Sequence, residues 1–469
     1  MIVGKVLSDS QIEQVQHASE RILEVTGFKV MHAEALALCR RAGARVDEAD
    51  GVVRMPKELL RELVAKAPSR YRVTALDGIE RVFGKEEDQH TQAIVTDPWI
   101  VDYETREPRR PCLEDVRRNT VVGQRLDHVM GMSCMDFPVT DVEGPNSSWR
   151  ALEEHLLHHT KHNFVMATSV GSLRRWLKIG QILARGSELK DSRLLTVAVA
   201  ALTPLRITEL NVELMKIACA HGFPVMPTVC PTAGMTSPFS LAGTLALGNA
   251  ENLFLLALTQ LFNPGNPFMY TFGPAVGHMQ TGACLYYTLD KVIWKTAHVQ
   301  LAKSYDLPVA AECGGSMTHH FDQQSGAEGM MFMLAAVGSG ADLLPGYGST
   351  FNAVGHSTEM MLIQDAYFQA ARFLKRAIRT DPEHLGLNAI QEVGRDGQFL
   401  TDDLTLKYVR GGEFFSNDLF EGSGDSRHRP RTDEVAHERA QAMVEGFESA
   451  VPHEIQEQVR RYFHDQAAS

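Results

Sequence analysis

The sequence lacks several features that would assign a protein to a class at once. Its seven cysteines are odd in number and scattered without a CxxC pair, which argues against a disulfide framework or a zinc knuckle. A formal net charge of −12 disfavours nucleic acid as a partner. No apolar run approaches the roughly 20 residues that span a bilayer, and the first residues do not follow the order of a signal peptide. These absences predict a cytoplasmic protein with reduced thiols.

What the sequence does contain is a regular alternation of apolar and helical segments. Uninterrupted apolar runs at a spacing of roughly 30 to 45 residues indicate parallel βα units buried on both faces. We therefore predict an α/β fold, a (β/α)8 barrel of the TIM type, with an eighth strand at 93–102 or at 398–403. A doubly wound open sheet is the alternative, although no GxGxxG follows a first strand. The seven visible runs are 128–136, 163–170, 194–202, 223–230, 267–273, 307–315 and 341–348.

The predicted barrel occupies only part of the 469 residues. Residues 1–110 are expected to form an extension of helices and short strands, beginning with a helix capped by Ser8 or Ser10. Residues 111–420 would form the barrel, and residues 421–469 a helical tail. The tail begins as a charged linker, and we expect its helix to be solvated, with docking of a partner protein as the alternative.

The segment PTAGMTSPFSLAGTLALGNAEN, residues 231–252, is too apolar and too poor in charge for a solvated surface. It follows an apolar run and opens into a helix of small residues, so its loop lies at the C-terminal edge of a strand. The segment resembles the corrinoid methyltransferases that demethylate trimethylamine and, in members that lack pyrrolysine, quaternary amines such as glycine betaine. The opening VTGFKVMHAEALALCRRAGARVDEADG and the closing EVGRDGQFLTDDLTLKYVRGGEFF extend this resemblance almost from end to end.

The resemblance implies a barrel enzyme that moves one methyl group from a quaternary amine to the Co(I) of a separate corrinoid protein. Glycine betaine, giving dimethylglycine, is the first candidate. Proline betaine, carnitine and γ-butyrobetaine stay open, since pocket volume decides among them. The chain has no DxHxxG corrinoid motif, so the corrinoid should arrive on a partner and face an apolar rim. Rim candidates are Thr236, Ser237 and Pro238, and a homo-oligomer is possible.

The position that carries pyrrolysine in the trimethylamine enzymes falls near His319. The relatives place that residue shortly before an Asp-x-Gln-x-Gly-x-Glu run, which begins here at Asp322. No lysine stands there, which favours the pyrrolysine-free branch. Candidates for positioning the methyl group are His319, His320, Gln324 and Glu328, although buried carboxylates also serve as structural hydrogen-bond anchors.

Aromatic residues near the strand ends could surround a quaternary ammonium with their ring faces. Each of them could equally be ordinary packing. Glu312 would add polar lining, and His320 or His356 would hold a betaine carboxylate. The aromatic candidates are Trp99, Phe137, Tyr270, Phe272, Tyr347 and Phe351.

A quaternary ammonium needs no metal for activation, because its amine departs neutral and its nitrogen has no lone pair to offer zinc. We therefore predict no metal in this chain. The alternative is a zinc site that includes Cys230 and Cys313. Both cysteines could equally be small thiols buried in the core. Two further functions stay open: a betaine-binding or sensing protein without catalysis, and a barrel metallohydrolase.

Overall fold

The computed structural model describes residues 4–84, 88–144, 146–425, 427 and 429–467. The α-helices are α1 Asp9–Arg21, α2 Ala33–Arg41, α3 Lys57–Val64, α4 Leu113–Arg125, α5 Ser147–Leu157, α6 Val170–Leu183, α7 Leu189–Ser192, α8 Glu209–Ala220, α9 Leu241–Phe262, α10 Asp290–Ser304, α11 Gln323–Ser339, α12 Thr358–Leu374, α13 Leu387–Val393, α14 Asp403–Gly411, α15 Thr432–Val444 and α16 His453–Ala467. A π-helical turn covers Ile22–Thr26 and a 3₁₀ turn Phe351–Ala353.

Short strands alternate with these helices along most of the chain. They are β1 Phe28–Val30, β2 Arg45–Asp47, β3 Val52–Arg54, β4 Tyr71–Val73, β5 Arg81–Phe83, β6 His90–Ile94, β7 Trp99–Val101, β8 Pro108–Arg109, β9 Val129–Ser133, β10 His162–Val165, β11 Leu195–Ala200, β12 Arg206–Ile207, β13 Val225–Thr228, β14 Thr232–Ala233, β15 Ala275–Gly277, β16 Cys284–Leu285, β17 Leu343–Tyr347, β18 Ser349–Thr350 and β19 Gly355–His356.

Six parallel strands form one curved sheet in the order β13-β11-β10-β9-β6-β17. Two further segments, 267–270 and 308–311, close the gap between its outer strands through parallel bridges and backbone hydrogen bonds. Eight parallel segments therefore close on themselves, which confirms the predicted (β/α)8 barrel. The bridging pairs are Val225 with Phe268, Tyr270 with Val309, and Ala310 with Leu343.

The eighth strand is β6, the first barrel strand along the chain. It overlaps the start of the predicted segment 93–102. The alternative at 398–403 is wrong, because those residues are largely exposed, outside any strand, and lead into α14 at Asp403. The barrel thus begins before residue 111, and the division at 1–110, 111–420 and 421–469 stays a prediction.

The barrel floor is closed by the β4–β5 hairpin. Tyr71 and Phe83 of this hairpin form a buried cluster with inward-facing side chains such as Met130, Phe164 and Met269. The outward-facing side chains of the same strands belong to the main core under the helices. The interior of the barrel is therefore filled at its floor end, and its accessible inward-facing residues lie towards the C-terminal ends of the strands.

Helix α9 is the buried element that the apolar segment 231–252 predicts. Among the described residues it is the helix that is long and apolar enough to cross a membrane, but 83% of that stretch is buried in the fold, as expected for a core helix. Its polar residues tie the fold together. Glu251 accepts hydrogen bonds from the backbone of Leu205 and the hydroxyl of Thr203, and Asn252 donates to the carbonyl of Thr271.

Both ends of the chain pack on the barrel. Ser8 caps α1, as one of the two predicted caps. The expectation of a solvated terminal helix is wrong: α15 packs on α12 and α4, and α16 packs on α5 and α6. A buried cluster fixes this arrangement, since Glu359 of α12 lies 2.8 Å from His437 of α15 and 2.7 Å from Arg118 of α4.

Candidate functional site

The C-terminal end of the barrel is an open chamber. Inward-facing residues at the strand ends are partly accessible, whereas the alternate, outward-facing residues are buried. This pattern is clearest on β11, where Ala198 and Ala200 are accessible but Val197 and Val199 are buried. Side chains in the centre of a barrel can be reached by water only if the mouth is hollow. The accessible set is Ile94, Met166, Ala198, Ala200, Met226, Thr228, Cys230, Gly273, Glu312 and Pro345.

One side of the chamber is a mainly apolar cavity of about 220 Å³ at the ends of β9, β10, β11 and β13. Phe137, Met135 and Met166 provide its large apolar side chains, and Thr228 lies at its edge. Asp136 also lines it, but Oδ2 of this carboxylate is held by the hydroxyls of Thr168 and Ser172 at 2.9 and 2.7 Å. This wall therefore offers an aromatic ring and thioethers to a ligand.

The opposite side carries a compact charged cluster. Oε2 of Glu312 lies 3.0 Å from Nζ of Lys291 and 3.6 Å from Nζ of Lys295. Oε1 of Glu312 accepts a hydrogen bond of 3.0 Å from the hydroxyl of Tyr287, which also contacts the hydroxyl of Ser349 at 2.8 Å. The lysine side chains are each 1% exposed and the Glu312 side chain 18% exposed, so the carboxylate is the group that reaches the chamber.

The electrostatics of this cluster favour an ionised Glu312. Burial alone raises the pKa of Glu312, but the charges of Lys291 and Lys295, with hydrogen bonds from Lys291 and Tyr287, outweigh burial and hold the pKa below its usual range. Burial lowers the pKa of Lys291 to about 7, although Glu312 opposes this effect. Asp97, at the end of β6, behaves in the opposite way, because burial and then the charge of Glu312 raise its pKa well above the usual range.

Tyr286 and Cys230 lie beside the charged cluster in the chamber wall. Nζ of Lys291 lies 2.9 Å from the centroid of the Tyr286 ring, so one face of this ring is already occupied by a cation. The Cys230 side chain is accessible to water. Close protein packing around it nevertheless raises the pKa of the thiol to about 11. Cys230 is thus a residue of the cavity wall, accessible on one side and enclosed by protein on the others. Its thiol stays protonated at neutral pH.

The glycine-rich turn after residue 312 is required by close packing. A Cβ atom on Gly314 would lie 1.9 Å from the carbonyl oxygen of Gly346. Gly315 has a φ of 120°, and a Cβ atom there would lie 2.1 Å from the Tyr287 ring. These two glycines let the chain turn directly beneath Tyr287 and so place its hydroxyl on Glu312.

A small sheet and a strained turn cover part of the mouth. The sheet has the order β18-β19-β7-β8, and the turn Phe351–Ala353 follows β18. All three turn residues have a left-handed φ between 46° and 63°, which costs about 1 kcal/mol or more for each non-glycine residue. Asn352 offsets this cost, because its amide group bonds the carbonyl of Cys284 and the backbone N–H of Tyr286 at 2.8 and 2.7 Å.

The structure brings some predicted site residues to the mouth. Phe137 and Glu312 both line the chamber. Phe351 belongs to the turn that covers part of the mouth, and its ring centroid lies 5.1 Å from that of His319. His320 beside them is exposed. Trp99 also belongs to the cover, but its ring face is occupied by the guanidinium of Arg110 at 4.1 Å. These placements leave Phe137 as the predicted aromatic residue that lines the cavity.

Other predicted residues point away from the chamber. The hydroxyl of Tyr270 donates to Asn249 of α9 at 2.9 Å, and Phe272 packs against Gly248 of the same helix. Tyr347 is fully buried in the main core. His356 is fully buried under Gly348, and burial lowers its pKa to about 4. A neutral, enclosed imidazole is a poor partner for a substrate carboxylate.

Gln324 and Glu328 hold the loop that follows Gly315. Oε2 of Glu328 accepts a hydrogen bond of 2.9 Å from the backbone of Met317, and the Gln324 amide donates to Oε1 of Glu328 at 2.9 Å. Both contacts are those of a structural hydrogen-bond anchor, which is the alternative role that the sequence leaves open for these residues. A role of either residue in positioning a methyl group stays a prediction.

Cys230 and Cys313 do not converge. Cys230 faces the chamber, whereas the thiol of Cys313 points outwards and donates to the carbonyl of Leu344 at 3.3 Å. The zinc site considered from the sequence therefore has no basis in the positions of these two residues. Over the described part of the chain, no group of three His, Cys, Asp or Glu side chains is placed to hold a metal ion.

Sequence reasoning missed Asp97, Tyr286, Tyr287, Lys291 and Lys295. A signal for the lysines was present, since they interrupt the otherwise apolar face of α10 with a spacing of four residues. Two lysines on one face of a helix that packs inside an α/β barrel need a buried anion as a partner. The tyrosines precede this helix directly, at the strand-to-helix loop where barrel sites lie.

The predicted rim lies beside the chamber mouth, in the loop between β13 and α9. Thr236 and Ser237 are half-buried and hydrogen-bonded within the loop, and Pro238 is exposed. The larger exposed side chains are their neighbours Met235 and Phe239, at 51% and 65%, with Met279 of the next loop at 57%. A second cavity of about 230 Å³ opens beside Phe239, lined by Ala233, Phe239, Ser240, Leu241, Val276, Asp290 and Trp294.

Comparison with known proteins gives a consistent result over the whole chain. The sequence profile described as trimethylamine methyltransferase (MTTB) matches residues 2–469. The chain is 25% identical to trimethylamine methyltransferase MttB of Desulfitobacterium hafniense, over 86% of this chain and 81% of the relative. It is 24% identical to a glycine betaine methyltransferase of Desulfitobacterium hafniense, over 94% of this chain and 92% of the relative.

Two further similarities extend this comparison. A proline betaine:corrinoid methyltransferase of Eubacterium limosum is 24% identical, again over 94% of this chain and 92% of the relative. Among solved structures, the Methanosarcina barkeri monomethylamine methyltransferase MtmB aligns with a TM-score of 0.51 at 11% identity. This alignment covers 99% of this chain and 95% of MtmB, and it supports the barrel fold alone.

Proposed function

Because the chain belongs to the trimethylamine methyltransferase (MTTB) family, we propose that it transfers a methyl group from a quaternary amine to the cobalt of a corrinoid protein. The observation that carries the proposal is the chamber with an ionised carboxylate, Glu312, on one wall and an aromatic and thioether surface around Phe137 on another. A quaternary ammonium is a large, weakly hydrated cation with apolar methyl groups, and it suits both walls.

The chemistry asks little of the protein beyond placement. The N–CH₃ bond breaks with its electron pair staying on nitrogen, and the methyl carbon accepts the electron pair of the Co(I) acceptor. The amine leaves uncharged, so no proton has to be supplied during the transfer. What this chain contributes is orientation of the ammonium and exclusion of water from the reacting methyl group.

Glu312 and Phe137 are the residues that we assign to holding the ammonium. Lys291 and Lys295 keep the carboxylate charged from behind, where their own side chains are almost inaccessible. An ammonium in the chamber therefore meets the anion of the cluster rather than its cations. Thioethers of Met135 and Met166 complete a soft, apolar surface for the remaining methyl groups.

The rim around Met235, Phe239 and Met279 fits a corrinoid. These side chains are exposed next to the mouth, and a flat macrocycle needs an apolar surface from which its cobalt can face a substrate methyl group. The corrinoid would come with its carrier protein as the methyl acceptor. We also propose a cytoplasmic location, which suits the seven free cysteines of this chain.

Glycine betaine is the substrate that we propose first. Two betaine enzymes are matched over 94% of this chain, and the position near the relatives' pyrrolysine holds His319. The cavity of about 220 Å³ has room for a small betaine. Proline betaine, carnitine and γ-butyrobetaine are the other candidates of the same chemistry.

The decisive experiment is anaerobic incubation of the purified protein with one amine and chemically reduced corrinoid, either free cob(I)alamin or a corrinoid protein. Glycine betaine, proline betaine, carnitine, γ-butyrobetaine and trimethylamine would be compared by the absorbance change of cobalt alkylation. We expect turnover with glycine betaine and an equal amount of dimethylglycine. Binding of a betaine without turnover on either acceptor would overturn catalysis and favour a sensing protein.

A further inference from the structure

Residues 374–414 form an arm that leaves the barrel and returns to the same place. It departs at the end of α12, and the rings of Phe373 and Phe415 on either side of it lie 5.5 Å apart. The guanidinium of Arg376 closes the base by donating to the carbonyl of Glu413 at 3.0 Å. The arm is therefore a closed excursion with its own two helices, α13 and α14.

The arm has no core of its own. No residue of α13 or α14 is buried, and within the described chain neither helix packs extensively against another helix or strand. Its internal contacts are few: His384 stacks on Tyr408 at 4.9 Å, both half-buried, and Lys407 forms an exposed ion pair with Glu383. Exposed ion pairs contribute little against the entropy of ordering such a segment.

Apolar side chains on the arm face water in unusual number. Ten large apolar residues between 374 and 414 are exposed. Single exposed apolar residues are common, but this many on one exposed segment indicate an interaction surface. The most exposed are Ile378 at 90%, Phe414 at 82%, and Leu400 and Val409 at 77% each.

The charge of the arm indicates what covers it. The arm holds six basic and seven acidic residues, a net charge of −1, whereas the whole chain carries −12. Two copies of this acidic chain repel each other over most of their surfaces. At the arm they meet with nearly balanced charges of both signs, which can pair across a two-fold axis.

The position of the arm argues against the corrinoid carrier as the occupant. Helix α12 starts beside the chamber at Thr358 and runs towards the opposite end of the barrel, as barrel helices do. Its residues Asp365 and Phe368 contact His128, which directly precedes β9. The arm therefore extends from the floor end, away from the mouth where a methyl acceptor has to dock.

The exposed area is also the right size for a second copy. Ten half- to fully exposed large side chains present roughly 1,000 Å² of apolar surface, close to the roughly 800 Å² that each partner buries in a standard interface. We propose that the arm is a dimerisation element, which packs in an isologous manner against the arm of a second copy of this chain. This proposal does not depend on the reaction that the barrel catalyses.

The test compares the mass of the full-length protein with that of an arm variant, by light scattering at micromolar concentration. We expect the wild type at twice 52.0 kDa and the double variant Leu400→Asp, Val409→Asp at the monomer mass. The matched control is Ile79→Asp, which charges an apolar residue that is 55% exposed outside the arm, and it should stay dimeric. A monomeric wild type, or a dimer that the double variant leaves intact, would overturn the proposal.

Hydrogen exchange provides a second measurement that does not require a variant to fold. Amides of α13 and α14 should be protected in concentrated wild-type protein and lose protection on dilution, while the barrel strands keep theirs. Rapid exchange of both helices at every concentration contradicts an arm that is covered by a second copy. Protection that arises only on adding a corrinoid protein would assign the arm to that partner instead and also overturn the proposal.

Discussion

The Nζ atom of Lys291 lies 3.0 Å from Oε2 of Glu312 inside the barrel mouth, with the lysine almost fully buried and the carboxylate partly open to the chamber. Lys295 contacts the same oxygen at 3.6 Å. A carboxylate paired in this way stays ionised in a place where burial alone would neutralise it. The buried lysines therefore keep ionised the carboxylate that reaches the chamber.

Substitution Glu312→Gln should impair the binding of a quaternary ammonium. The amide keeps the shape but removes the charge, so kcat/KM should fall roughly 30- to 100-fold, about 2 to 3 kcal/mol. Steady-state rates with glycine betaine and a corrinoid acceptor measure the change in kcat/KM. The control Glu58→Gln removes a carboxylate that is 74% exposed on α3 and should leave the rates unchanged. Equal rates for Glu312→Gln and wild type would contradict the assignment.

Substitution Lys291→Met should move the acidic limb of the pH–rate profile. Lys291 is the larger of the two lysine effects that lower the pKa of Glu312, so its loss raises that pKa. Glu312 then takes up a proton at higher pH, and activity declines at a higher pH than in the wild type. The control Lys178→Met alters an exposed lysine on α6. A profile that falls in height without a shift would indicate a role in folding only.

Substitution Phe137→Ala should weaken binding of the ammonium without a large change in the chemical step. One cation–π contact contributes about 1 kcal/mol, so KM for the amine should rise roughly fivefold. Phe137→Tyr keeps a ring face at the cavity and should retain most of the affinity. If the alanine and tyrosine variants bind the amine equally, the ring does not contact the cation.

Substitution Tyr270→Phe should affect stability and leave substrate binding alone. The hydroxyl donates to Asn249 in the buried outer layer, and its loss leaves an acceptor unpaired at a cost of about 1 to 2 kcal/mol. Thermal unfolding should detect this change, while KM for the amine stays constant. An increase in KM would mean that Tyr270 faces the substrate after all, as its position in the sequence first suggests.

The direction in which Tyr270 points could not be predicted from the sequence. Its segment is buried on both faces, so its apolar pattern carries no information about which alternate residues point inwards. The structure puts Met269, Thr271 and Gly273 inside, and consequently Tyr270 and Phe272 outside. The barrel itself could be predicted from the repeated apolar runs, because the spacing between the runs does not depend on which of their residues point inwards.

The charged cluster was hidden for a different reason. Glu312 and its lysines come from α10 and a later strand end, and nothing in the local sequence pairs them. Glu312 was predicted because it ends an apolar run, whereas Lys291 and Lys295 interrupt the apolar face of α10 without indicating which anion they meet. Only the tertiary arrangement shows that these side chains point into the barrel.

Five buried histidines predict that the protein loses stability in mild acid. Burial lowers the pKa of His159 to about 3 and of His162, His298 and His356 to about 4, and that of His155 well below its usual range. The unfolded chain takes up protons near pH 6.5 while the folded chain does not, so stability falls as pH drops from about 6.5 towards 4.

Each of these histidines contributes up to about 1.4 kcal/mol per pH unit in that range. Urea unfolding between pH 7 and pH 5 measures the slope before most carboxylates titrate. The variant His298→Gln should reduce the slope by the share of one histidine, whereas His17→Gln, at an exposed site on α1, should not. A free energy of unfolding that stays constant down to pH 5 would show that these imidazoles are protonated, or accessible, in the folded protein.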